Sequence, residues 1–170
     1  MTPAKQLFTE VDARPVGDCW RTCVAMLLDL PPAEVPHWVD QYLTIGNVTT
    51  DRWPDFEGIE VEVPAFAVAT QTWLTQRGLA LYSYDGPPGN YTGFAIATGP
   101  SPRGDFSHAV VVYVVAMEPQ DRGDGILRPV PDEWRYAADP HPSNDRLAGQ
   151  PTEFAIIKPA EITYDSGDPS

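Results

Sequence analysis

The apolar pattern of this chain changes its period once, near Gly78, and that change limits the architectures open to it. Before it, apolar residues recur at helical spacing in two stretches. Cys23, Val24, Met26, Leu27 and Leu30 follow the period of a helix running from Cys19 to Leu30. Asp18 precedes that helix as a candidate N-cap, and Pro31-Pro32 stops it. Pro64 to Arg77 reads as a second amphipathic helix with Phe66, Trp73 and Leu74 on its buried side, Pro64 in its first turn and Gly78 as its cap. Beyond Gly78 the apolar residues come in short strand-like runs at 79–84, 91–98, 107–116, 134–138 and 154–158, with Pro87-Pro88-Gly89-Asn90 as an intervening turn. Helices first and strands afterwards predict an α+β fold, with N-terminal helices packed on an antiparallel sheet.

No repeat or linker divides this pattern, so residues 1–160 are expected to form one domain. Its 170 residues are 42% hydrophobic and include five tryptophans, enough for a sizeable core. Nineteen prolines and thirteen glycines exclude an all-helical bundle. Residues 1–16 read as a short extended segment and a loop, and Ala33 to Trp38 as a short helical turn. Residues 40–63 carry weak signals and read as an irregular insertion. Residues 118–132 form a loop with one short strand at Ile126-Leu127. The acidic stretch 161–170 is expected to fray.

The formal net charge of -13 and a pI near 4.4 exclude a nucleic-acid binder, which needs clustered Lys and Arg, and disfavour anionic membranes. The acidity is compatible with a cationic partner, although a solubilising surface explains it more simply. No signal-like apolar stretch follows Met1, and no run approaches membrane-spanning length. The two cysteines stand at i and i+4 of one helix, poorly placed for a disulfide. A reducing, cytoplasmic setting is therefore expected.

The chemistry-bearing residues are three. Cys19, in Gly17-Asp18-Cys19-Trp20, opens an apolar helix, and a thiolate gains from the helix dipole and from a neighbouring imidazolium. His108 stands at the mouth of the strand Ser107-His108-Ala109-Val110-Val111-Val112. Asp139, in Ala138-Asp139-Pro140-His141-Pro142, ends the next main strand and suits an orienting role on the far imidazole nitrogen. Acyl transfer needs such a nucleophile, base and orienting acid, and the Cys19 backbone N–H can face a developing oxyanion. Each residue alone has a plainer reading: a cysteine on an apolar helix is usually core, and Asp-Pro usually marks a turn. Their order and placement together favour a Cys19–His108–Asp139 triad acting on an amide, peptide or isopeptide bond without a cofactor.

Other signals rank lower. A Cys2His2 zinc set of Cys19, Cys23, His108 and His141 matches no common module, so no metal is expected. Cys23 reads as a small buried hydrophobe. His141 is the runner-up base, or a cleft-lining residue held by its flanking prolines. Arg103, in the segment leading to His108, is placed on a wall of the site, where it would meet a substrate carboxylate. Trp20 is assigned to the cleft lining. The rival from another class is a non-catalytic acidic binding protein on the same scaffold, engaging a basic host protein.

The stretch Gly17 to Trp38, with Gly-Asp-Cys, a second Cys four on, a leucine-rich helix and Glu34-Val35-Pro36, resembles a family of small papain-like cysteine hydrolases of bacteria and phages. His108-Ala109-Val110-Val111 and Asp139-Pro140-His141-Pro142-Ser143 resemble that family's two other motifs, and only 40–63 lacks a counterpart. The resemblance implies a papain-like fold, a thiol hydrolase activity and a peptide or protein substrate, in a bacterial or phage-infected cell. It also implies an oxyanion glutamine about six residues before the cysteine. Ala13 stands there, which leaves Gln6 as the upstream candidate.

Overall fold

Every residue from Trp20 to Met26 is buried, so the first helix is the pivot around which the chain packs. The computed structural model describes residues 1–9, 17–44, 47–48, 50–54, 59–121, 123, 125–128, 130 and 132–160. Helix α1 (Cys19–Leu28) ends two residues before the sequence pattern suggests. Asp29 turns into the left-handed region at φ 60, and the Leu30 N–H returns to Ala25 O at 2.9 Å, closing the helix before Pro31 is reached. A 3-10 turn (Pro32–Glu34) and α2 (Trp38–Tyr42) follow.

Segment 40–63 is more regular than expected. It holds two ladders, β1 (Leu43–Thr44) with β2 (Asn47–Val48), and β3 (Thr50–Pro54) with β4 (Glu60–Pro64). Val61 and Val63 alternate with Glu60 and Glu62 as in a strand, and β4 forms there although residues 60–62 are exposed. Helix α3 (Ala65–Thr75) comes next, with Pro64 just outside its first turn and Gly78 at φ 69 closing the connection.

The remaining strands are β5 (Leu79–Tyr84), β6 (Gly93–Pro100), β7 (Ser107–Val115), β8 (Gln120–Asp121), β9 (Leu127–Arg128), β10 (Glu133–Ala138) and β11 (Glu153–Pro159). Strand β9 sits one residue later than the one expected in the 118–132 loop, and it pairs with β8, which was not expected. Five strands form an antiparallel sheet in the order β10-β7-β6-β11-β5, so the last strand lies inside it, between β6 and β5. The α+β class is thus observed. Residues 161–170, expected to fray, lie outside the described residues.

The sheet buries apolar residues on both faces. Ile96, Ala109, Val111 and Ala155 join α1 and Trp38 in one core, while Ala95, Ala97, Val110, Val112, Val114, Phe154 and Ile156 form the other. This explains the unbroken valine run of β7, since a strand covered on both faces has no reason to alternate. Each such valine contributes roughly 1.5–3 kcal/mol of transfer free energy. Trp20 ties α1 to α3, its indole N–H donating to Thr70 Oγ1 at 3.1 Å and its ring meeting Phe66 edge-on. Among the described residues no helix is long and apolar enough to cross a membrane.

Candidate active site

Because β7 and β10 are antiparallel neighbours, the start of one and the end of the other meet at a single end of the sheet. His108 is the second residue of β7 and Asp139 directly follows β10, so topology alone brings them together. The His108 Nε2–H donates to Asp139 Oδ1 at 2.9 Å, with each side chain only 3% exposed. Cys19 lies close enough to His108 to favour its charged form as well. Asp139 occupies Nε2, which leaves Nδ1 free of that bond. Cys19 is partly exposed at the first position of α1, where its backbone N–H has no acceptor within the helix.

Burial by itself makes the His108 imidazolium harder to form. Its bond to Asp139 and the nearby Cys19 more than offset that cost, and the ring's midpoint rises from 6.5 to about 9. Burial likewise opposes ionisation of Asp139, yet the bonds from His108 and from two backbone N–H groups hold its carboxyl below the usual range. Those donors are His141 N–H to Oδ1 at 2.8 Å and Arg146 N–H to Oδ2 at 2.7 Å. The carboxylate is therefore locked in orientation as well as in charge.

The structure brings His141 close to this group without giving it the base's place. Its ring meets that of His108 edge-on at 6.3 Å, and its Nδ1 accepts from the Ser143 N–H at 3.1 Å. Burial and the neighbouring Arg103 keep its midpoint below the ordinary value, so it is neutral where His108 is charged. Arg103 faces the same loop, 3.5 Å from Ser143 Oγ and 3.8 Å from Asp145 Oδ2. An open pocket of about 320 Å³, lined by Gly104, Asp105, Phe106 and Ser107 among others, adjoins this end of β7.

Two expectations need correcting. Trp20, assigned to the cleft, is 7% exposed and serves as the α1–α3 joint described above. Asp18 stands at the N-cap position but makes no capping bond through its side chain. Fully buried, its carboxylate accepts from Leu7 N–H at 3.2 Å, Phe8 N–H at 3.0 Å and Arg21 Nε–H at 2.8 Å. It thus ties the N-terminal segment to the residue before Cys19. The signal was present in the pair Asp18 and Arg21, at i and i+3 of an otherwise apolar helix.

Gln6 is buried at 8% exposure, and its backbone N–H donates to Pro140 O at 2.9 Å, beside Asp139. Its side-chain amide, however, donates to Phe8 O at 2.6 Å, while its Oε1 is buried with no partner among the described residues. Ala13 lies outside the described residues. Cys23 is fully buried one turn below Cys19, and burial, then the nearby Cys19 and Asp139, push its thiol up. Among the described residues no cluster of three or more His, Cys, Asp or Glu is arranged to hold a metal ion. No family model, curated protein or solved structure compared with the chain matches it.

Proposed function

We propose that this protein is a papain-like thiol hydrolase that cleaves an amide, peptide or isopeptide bond, with Cys19 as nucleophile, His108 as proton carrier and Asp139 as the orienting acid. The observation that carries the reading is one imidazole bonded to a locked, buried carboxylate, with a partly exposed thiol close enough to favour its charged form. A cysteine that merely filled the core would need neither partner.

In this mechanism the Cys19 sulfur attacks the carbonyl carbon as thiolate, beside a His108 that is charged at neutral pH. The carbonyl π electrons move to oxygen, which is met by the Cys19 backbone N–H, a group with no acceptor within α1. The Gln6 amide joins them only after releasing Phe8 O. Collapse of the intermediate expels the amine, which takes its proton from His108 Nδ1 and leaves a thioester on Cys19. Neutral His108 then removes a proton from water, whose oxygen attacks the thioester and restores the thiolate–imidazolium pair. Asp139 stays ionised throughout and fixes the ring's orientation.

The test is the alkylation of Cys19 by iodoacetamide across pH 5–9, with the label located by peptide mass. In the wild type Cys19 should react at pH 6–7, where an ordinary thiol with a pKa of about 8.5 is almost silent. His108→Ala should slow that reaction roughly tenfold or more. A Cys19 that reacts only after unfolding, or is indifferent to His108, would sink the hydrolase and favour a binding protein on the same scaffold.

A further inference from the structure

Four residues near the N-terminus touch both halves of this site. Lys5 Nζ donates to Asp139 O at 2.9 Å, to His141 O at 3.0 Å and to Asn144 Oδ1, so all three ammonium donors are satisfied by one loop. Gln6 N–H adds a bond to Pro140 O. Leu7 and Phe8 N–H then turn to the Asp18 carboxylate, and the Asp18 N–H returns to Phe8 O at 3.1 Å. The Phe8 ring stacks on His37 at 5.7 Å and lies 5.5 Å from the Arg21 guanidinium. A few peptide units thus span from the acid's loop to the residue next to the nucleophile.

We propose that Lys5–Phe8 is a positioning strap for the thiol site, in which Lys5 fixes the Asp139 loop in register with the helix that carries Cys19. The proposal rests on the triad reading given above. Lys5 does not touch the reacting atoms. It holds the main chain of Asp139 and of His141, whose N–H grips Oδ1, and the side chain of Asn144, two residues before the Arg146 N–H that grips Oδ2. Freeing those anchors lets the carboxylate swing away from Nε2, and the imidazole loses the partner that keeps it charged beside the sulfur.

The experiment uses the full chain, iodoacetamide as probe, and NMR titration of the His108 ring. Lys5→Met should slow Cys19 alkylation at pH 6.5 about tenfold and move the His108 midpoint downwards. Lys5→Arg, which keeps the charge, should recover most of both. Asn144→Gly removes one acceptor while tolerating the local φ of 57, and should move both readouts the same way by less. Lys5→Met that lowers the melting temperature yet leaves rate and midpoint in place makes Lys5 merely structural and overturns the strap alone. A wild-type His108 titrating near its ordinary value over an inert Cys19 overturns the triad, and the strap with it.

Discussion

At the scale of single residues, His108 and Asp139 couple the site to stability with opposite signs. The His108 midpoint is raised in the folded chain, so its contribution is present in full below about 6.5 and drains as pH climbs through about 9. Asp139 is held below its ordinary value, so its contribution is present above that value and is lost as pH falls through the lowered one. The melting temperature should therefore decline between about pH 6.5 and 9, by an amount equivalent to at most roughly 3 kcal/mol. Asp139→Asn should flatten that decline, because the ring then charges at lower pH, and the alkaline limit of any hydrolysis should move down with it. A thermal scan of both proteins over pH 5–10 reads the effect. The placement of Cys19, His108 and Asp139 was legible in the sequence because each sits at an element boundary that the pattern marks. Lys5 was not, since its partners lie more than 130 positions away and a lysine among polar neighbours gives no local sign.

At the scale of elements, the join between the N-terminal segment and α1 is a buried ion pair with two backbone donors attached. Asp18 is inaccessible and the Arg21 side chain 9% exposed, so removing the acid strands a guanidinium in the interior. Asp18→Ala should cost about 3–5 kcal/mol by urea denaturation, well beyond the loss of an ordinary cap. Arg21 and Asp18 removed together should be milder than Asp18 alone, for the same reason. Local rules found the helix and its start but misread what Asp18 does, because a side chain that bonds backbone ten residues earlier obeys no local rule. The β3–β4 pair was missed for the converse reason. Ile59, Val61 and Val63 alternate with Glu60 and Glu62, but the run is short and Ile59 and Val61 are exposed, so it does not carry the mark of a core strand. The major strands were legible because burial marks them: β7 is covered on both faces and reads as an apolar run.

At the scale of the whole molecule, the order of strands matters more than their number. β11 pairs with β6 and β5 at once, and Phe154 and Ile156 fill the core on one face of the sheet. A chain stopped before Glu153 should therefore lose cooperative unfolding, with β5 detached and the end of the sheet that holds His108 unsupported; calorimetry would show whether a sharp transition survives. Sequence showed the strands and their antiparallel character, but strand order depends on contacts between distant segments, which periodicity does not encode. The insertion of the final strand also sets a clock on synthesis. A ribosome delivers Cys19 early and the closing strand last, and pairings of such long range form slowly. While the chain is still being made, Cys19 has no organised neighbours at the start of α1. On the triad reading, Cys19, His108 and Asp139 come together only after nearly all of the described chain has emerged, so the order of the strands itself delays the site.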